Sequence, residues 1–194
     1  MGKGRVEAFS DGVIAIIITI MVLELKVPHG EDLKALWPLL PIFLTYVLSF
    51  INVGLYWNNL HNMFHTVQRV DGAVLWANLH LLFWLSLMPF TTAFMGENRF
   101  ATEPVALYGF DLAMCAVAFT ILERCLLKLH GPDSGFARAL GRDFKGWLSL
   151  ICYFLAVPLA FVSEWISVAL YVFVAAMWLV PDRRFARQAS HPGG

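Results

Sequence analysis

Residues 13–25 read VIAIIITIMVLEL, and this run decides the class of the fold. With the residues before it, the run gives an apolar segment over residues 4–27, long enough for a helix that crosses the roughly 30 Å hydrocarbon core of a membrane. Arg5, Glu7 and Asp11 precede the run, and no small-residue cleavage site follows it. These features differ from those of a secretory signal peptide. We therefore expect a transmembrane helix that is retained.

The composition of the whole chain is typical of a membrane protein. Of its 194 residues, 59% are hydrophobic and 14% charged, against roughly 45–50% and 25% in soluble proteins. The 14 basic and 14 acidic residues cancel, so we expect no nucleic-acid partner. Cys115, Cys125 and Cys152 lack CxxC spacing and fall in or near apolar segments. We interpret them as packing residues and expect neither a metal site nor a cofactor.

Further apolar segments of spanning length follow the first. They cover residues 37–64, 72–95 and 105–129, and residues 144–180 form a stretch about twice as long. Glu164 is the only acid in that last stretch and lies near its middle, so we expect a tight helical hairpin there. The sequence predicts an all-α polytopic membrane protein with six transmembrane helices, as one domain over residues 1–181. Residues 182–194 are expected to form a short basic cytoplasmic tail.

The distribution of basic residues predicts the orientation in the membrane. With the N-terminus in the cytoplasm, only Lys26, Lys34 and Arg99 fall on the outer side, which leaves eleven of the 14 Lys and Arg residues on the inner side. Basic residues accumulate on the cytoplasmic side of membrane proteins. Both termini are therefore expected in the cytoplasm.

Polar residues stand at the beginning of the first helix. Residues 5–11 read RVEAFSD, and ionisable groups at this position are costly to bury without partners. From the residues alone, two interpretations stay open. The polar side chains cap the helix at the membrane interface, or they meet partners within the bundle or face water.

This segment resembles the RxxxFSD signature of the transmembrane protein 175 family, the potassium channels of endolysosomes and their single-repeat prokaryotic relatives. Residues 56–64, YWNNLHNMF, are similar to the end of the family's second helix, and residues 75–97 resemble its third helix. The rest of the chain agrees in helix count and loop style. The resemblance implies an integral protein of a prokaryotic cell membrane.

The resemblance further implies a potassium-permeable cation channel, a homotetramer whose first helices line a central pore, with membrane lipid and monovalent cations as the other partners. It puts the narrowest ring at Ile16, with Ile20 and Leu23 as further layers of a hydrophobic constriction. No TVGYG-like carbonyl filter segment is present in the sequence. These three residues share one helix face over about 10 Å, although this spacing alone favours ordinary helix packing. Thr19, about 60° around the helix from Ile16, is the selectivity candidate.

The same resemblance implies a network between helices behind the pore. Its expected members are Arg5, Phe9, Ser10 and Asp11 of the motif, with His61, Trp76 and Asn78 of the second and third helices. Polar side chains in apolar surroundings seek partners. Asp11 lies about 140° around the helix from Ile16, so it should point into the subunit while Ile16 points into the pore.

Other functions were weighed against a channel. A proton- or cation-coupled secondary transporter, with Asp111, Glu24 or His80 as its titrating site, is the alternative, but no inverted repeat or pair of broken helices supports it. An enzyme is not expected, because His61 and His65 lack an HExxH frame and an acidic third ligand. Asp111 is interpreted as forming a structural hydrogen bond. Glu24 forms either an acidic vestibule ring or an interface pair with the lysine beside it.

Overall fold

The computed structural model describes residues 2–141 and 143–180, apart from the side chain of Ala139. All the regular elements in this part of the chain are helical. They are α1 (Lys3–Leu23), a 3-10 helix (Leu33–Leu39), α2 (Leu40–Thr66), α3 (Gly72–Glu97), α4 (Thr102–His130), α5 (Gly135–Leu140), α6 (Phe144–Leu159) and α7 (Glu164–Leu179). The predicted all-α class is confirmed. The predicted basic tail, residues 182–194, lies outside the described residues.

Four helical segments are long and apolar enough to cross a membrane: Lys3–Leu23, Leu33–Thr66, Gly72–Glu97 and Thr102–His130. Helices α6 and α7 are also apolar but have 16 residues each. That length is about 24 Å of helix, against a hydrocarbon core of roughly 30 Å. The two helices pack on each other across a short turn, as the predicted hairpin requires. That the chain crosses the membrane six times stays a prediction.

The sequence reasoning missed two short elements. The 3-10 helix precedes α2, which therefore begins at Leu40 and not near Trp37. Pro41 lies in the first turn of α2. A backbone N–H at this position has no partner within the helix, so the lack of one in proline costs no hydrogen bond. Helix α5 lies in the loop expected after α4, and the Ser134 hydroxyl caps it by accepting from the amide of Ala137 at 3.1 Å.

Helices α3 and α4 form the centre of the subunit, and α1 lies at its periphery. Helix α4 packs on α3, α6 and α7, whereas α1 contacts α2 and α3. Because lipid is as apolar as the helices, close packing and hydrogen bonds hold them together. A Cβ at Gly96 would collide with Ile42, and one at Gly109 with the Tyr171 hydroxyl. That hydroxyl donates to the carbonyl of Val105 at 3.0 Å, so both glycines permit close contacts between helices.

Candidate pore helix and its polar contacts

Helix α1 has a buried face and an exposed face. The buried positions recur every three or four residues, as one helix face requires, and are Val6, Ser10, Ile14, Ile17 and Met21. On the other side Ile16 is 58% exposed, Ile20 43% and Leu23 74%. Thr19 is also exposed, and its hydroxyl donates to the carbonyl of Ile16 at 2.9 Å. The residues predicted to line a pore therefore lie on a face that the described part of the subunit leaves uncovered.

Two motif residues form hydrogen bonds with neighbouring helices. Asp11 accepts a hydrogen bond at Oδ1 from the indole N–H of Trp57 on α2 at 2.9 Å. Ser10 is buried, and its Oγ accepts from the side-chain amide of Asn78 on α3 at 2.9 Å. Ser10 and Asn78 were both expected in the network, although no pair within it was predicted. Trp57 was not expected there, although an indole one turn before His61 on the same helix face was a usable signal.

Contacts between α1 and α2 recur every four residues. Glu7 Oε1 lies 3.2 Å from His61 Nδ1, one helical turn from the hydrogen-bonded carboxylate of Asp11. One turn earlier in α1, Lys3 Nζ donates to the carbonyl of Val67 at 3.0 Å, just beyond the end of α2. These contacts hold the first half of α1 against the last turns of α2. The contacts that Glu7 and Lys3 make with α2 were not predicted, because they depend on the register between the two helices.

Three predicted members of the network face away from the subunit. Trp76 is 75% exposed, Phe9 is about half exposed, and Arg5 is exposed. Within the described ranges, Arg5 makes no side-chain hydrogen bond or ion pair, and the indole of Trp76 makes no hydrogen bond. In a single subunit these three side chains are therefore separate from the contacts of Ser10 and Asp11.

A groove of about 650 Å³ runs between α1 and α3 on the exposed side. Its α1 wall includes Ile16 and Ile20, and Glu24 and Glu97 lie at the end where both helices finish. Lys26 lies 3.4 Å from Glu97. One of the two interpretations of Glu24 was an ion pair with Lys26. In the structure, Lys26 pairs with Glu97 instead.

The other polar groups inside the helices have local partners. Asp111 is buried, and its Oδ2 accepts from the Thr91 hydroxyl of α3 at 2.9 Å, which is the structural hydrogen bond expected of it. His80 Nε2 accepts from the indole of Trp84 on the same helix at 3.0 Å. Over the described residues, no three His, Cys, Asp or Glu side chains are grouped so that they could hold a metal ion.

Comparison with known proteins identifies the family of this subunit. The family model described as "Endosomal/lysosomal potassium channel TMEM175" matches residues 5–89. A potassium channel of Chryseobacterium sp. (strain P1-3) is 53% identical over 187 residues, which cover 96% of this chain and 97% of that protein. The chain belongs to the TMEM175 family.

The fold of a solved TMEM175 relative matches nearly the whole chain. The crystal structure of a lysosomal potassium-selective channel TMEM175 homolog from Chamaesiphon minutus matches 97% of this chain and 98% of its own, with a TM-score of 0.76 and 30% identity. The Bos taurus endosomal/lysosomal proton channel TMEM175 is 33% identical over 160 residues, which cover 74% of this chain and 33% of the animal protein. These relatives are ion channels and not enzymes. The family resemblance and the expectation of a non-enzymatic membrane protein are confirmed.

Proposed function

We propose that this chain is the subunit of a potassium-permeable cation channel, in which four copies surround one pore lined by α1. The observation that carries the proposal is the uncovered apolar face of α1. A relative that is 53% identical is named a potassium channel, and the solved relative is described as potassium-selective. A subunit that contributes one helix to a pore needs several copies to enclose it.

The constriction in this proposal consists of Ile16, Ile20 and Leu23. These side chains follow one another at four and three residues, so they form layers over about 10 Å of the pore axis. A narrow apolar ring removes water from a cation without offering an oxygen ligand, and it also tends to lose its own water. Gly12 and Ala15, which are exposed beside Ile16, leave room for close approach of four helices.

Thr19 is the selectivity candidate in the same proposal. Its hydroxyl donates to a backbone carbonyl of its own helix, which leaves oxygen lone pairs able to accept a hydrogen bond or to ligate a cation. Four such oxygens beside the apolar ring would offer a permeant ion a partial substitute for its water. A side-chain ring of this kind takes the place of the carbonyl filter of other potassium channels.

The proposal includes six crossings with both termini in the cytoplasm. Helices α6 and α7 are the fifth and sixth, and local bilayer thinning accommodates their length. Lys3 of α1, Arg69 beyond the end of α2 and Lys128 near the end of α4 lie at the same end of the bundle. A concentration of basic side chains at this end supports its assignment to the cytoplasmic side.

Flux measurements on the purified protein in liposomes test the function. A potassium gradient alone should drive potassium flux, because a pore conducts down a gradient without a coupling ion. Flux that requires a proton or sodium gradient would instead favour the secondary transporter. Empty liposomes, and liposomes holding heat-denatured protein, are the controls for leakage.

A further inference from the structure

Asp111 is a buried carboxyl group of α4 and is not part of the proposed pore lining on α1. Its side chain is 2% exposed, and Thr91 donates to Oδ2, whereas Oδ1 has no hydrogen-bond partner among the described residues. The titratable groups that interact electrostatically with it are Tyr56 of α2 and Tyr108 and Cys115 of α4. Over the described ranges, no basic side chain forms an ion pair with it. An ionised Asp111 would therefore be a buried charge without a counter-ion.

Three buried polar side chains of α2, α3 and α4 are bonded to one another. Thr92 donates to Ser49 Oγ at 2.6 Å, and the hydroxyls of Ser49 and Tyr108 share a hydrogen bond of 2.9 Å. All three side chains are buried. Asn52, almost one turn further along α2, donates its amide to a carbonyl of its own helix at 3.0 Å. None of these bonds reaches Oδ1 of Asp111.

A cavity of about 40 Å³ leads from one end of the subunit towards this cluster. It lies between α2, α4, α6 and α7, and its polar lining includes Asn52, Tyr56, Asn59, Thr120, Asp143 and Ser149. Such a volume has room for about two or three water molecules. Asn52 and Tyr56 of α2 belong to this lining, and Tyr56 interacts electrostatically with Asp111.

The other end of the cavity is close to solvent. Asp143 is partly exposed at the N-terminus of α6, at the end of the bundle where α1 begins and α4 finishes. Glu123 of α4 interacts electrostatically with Asp143 and with Arg124. The cavity thus extends from the neighbourhood of Asp143 to Tyr56, which interacts electrostatically with Asp111.

We propose that Asp111 is an internal proton-binding site of each subunit, reached through this cavity from the Asp143 end and separate from the face of α1. A hydronium ion gives its proton to the carboxylate, which leaves water and a neutral carboxylic acid with its O–H at Oδ1. A lone carboxylate with one hydrogen bond is expensive in an apolar interior, and the neutral acid avoids that cost. The site does not depend on whether α1 lines a pore.

Infrared spectroscopy of the protein in lipid at neutral pH tests the site. The spectrum should contain the C=O stretch of a protonated carboxylic acid, and Asp111→Asn should lose that component. Thr91→Val should shift its frequency, because Oδ2 loses its hydrogen bond. Glu123→Gln, the matched control at the other buried carboxyl of α4, should leave this component in place.

In D₂O the component should shift as deuterium replaces the proton, and Ala116→Leu, which narrows the cavity, should slow this exchange.

Several results would overturn the proposal. If neither Asp111→Asn nor Thr91→Val alters the carboxylic-acid region, Asp111 is ionised and holds no proton. If the thermal stability of the wild type depends on sodium or potassium and that of Asp111→Asn does not, the ligand is a metal cation. Equal exchange rates in the wild type and Ala116→Leu would exclude the cavity as the route. Should Asp111→Asn fail to fold, the shift in Thr91→Val decides the question.

Discussion

Ile16 is the residue on which the pore assignment depends most. In the proposed tetramer, replacing it by Asn would put four amide groups into the constriction, where they offer oxygen ligands and keep the passage wet. We expect Ile16→Asn to conduct more potassium and to discriminate less against sodium. A barrier lower by about 1.4 kcal/mol would raise the flux about tenfold. Potassium and sodium flux into liposomes, measured at equal protein content, checks both effects.

Asn substitutions at other positions test whether the effect of Ile16→Asn on conduction is specific to the proposed constriction. Ile14 is buried and lies about 160° around the helix from Ile16, so Ile14→Asn should chiefly impair folding. Ile151 of α6 is 53% exposed, and Ile151→Asn should leave conduction unchanged. Leu23→Asn should act like Ile16→Asn but more weakly, as an outer layer. An Ile16→Asn tetramer with wild-type conductance and selectivity would show that Ile16 is not at the constriction.

The faces of α1 could be predicted from the sequence, whereas its individual contacts could not. Helical periodicity separates Ile16 from Asp11 by about 140°, and in the structure Asp11 accepts from α2 while Ile16 is exposed. Periodicity gives no information on the register between two helices, so the donor to Asp11 was missed. It also gives no information on neighbouring copies, and Arg5 and Trp76 face outwards from the single subunit.

The hydrogen bond between Asp11 and Trp57 is the polar contact between α1 and α2 that lies nearest the uncovered face of α1. Both side chains are partly exposed, so we expect a coupling energy of about 1 kcal/mol, below the roughly 1.5–3 kcal/mol typical of a hydrogen bond to a charged group. A double-mutant cycle of Asp11→Ala and Trp57→Phe, read from the thermal stability of the assembled protein, measures it. Strict additivity of the two substitutions would mean that this bond does not hold the helices together.

Gly109 sets the distance between α4 and α7. A methyl group there would meet the Tyr171 hydroxyl, which is buried and donates to the carbonyl of Val105. Gly109→Ala should therefore destabilise the subunit by about 1–3 kcal/mol, through overpacking and the loss of that hydrogen bond. Gly54 of α2 is the control, because a Cβ there meets no atom within 4 Å. Thermal unfolding in detergent should show a loss for Gly109→Ala and none for Gly54→Ala.

Elements were predictable where a long apolar run dictates a helix. The segments expected at residues 72–95 and 105–129 correspond to α3 and α4, with ends that differ by a few residues. The 3-10 helix and α5 were missed, because a few residues with local caps carry no apolar periodicity. The hairpin of α6 and α7 was expected, but an apolar stretch does not reveal that each helix stops at 16 residues.

At the scale of the whole molecule, the uncovered surface of α1 and α3 is the surface that the proposed assembly would bury. It joins the exposed residues Ile16 and Leu23, the groove of about 650 Å³ and the exposed Trp76. Between membrane helices, small residues and side-chain packing drive association. A single sequence identifies such a face only as apolar, since lipid and a second subunit demand the same side chains. The number of copies is therefore a matter for measurement.

Trp76 provides the sharpest test of assembly. If it lies between subunits, truncating this large side chain should cost about 2 kcal/mol or more at each contact, and Trp76→Ala should shift the mass in mild detergent from tetramer towards monomer. Trp147 of α6 is the matched control, because it is 58% exposed, against 75% for Trp76, and lies in the first turn of a helix at the same end of the bundle. Trp147→Ala should remain tetrameric. Equal masses for both variants would instead assign Trp76 to the aromatic belt at the lipid interface, and a wild type that is monomeric yet conducts would contradict the central pore.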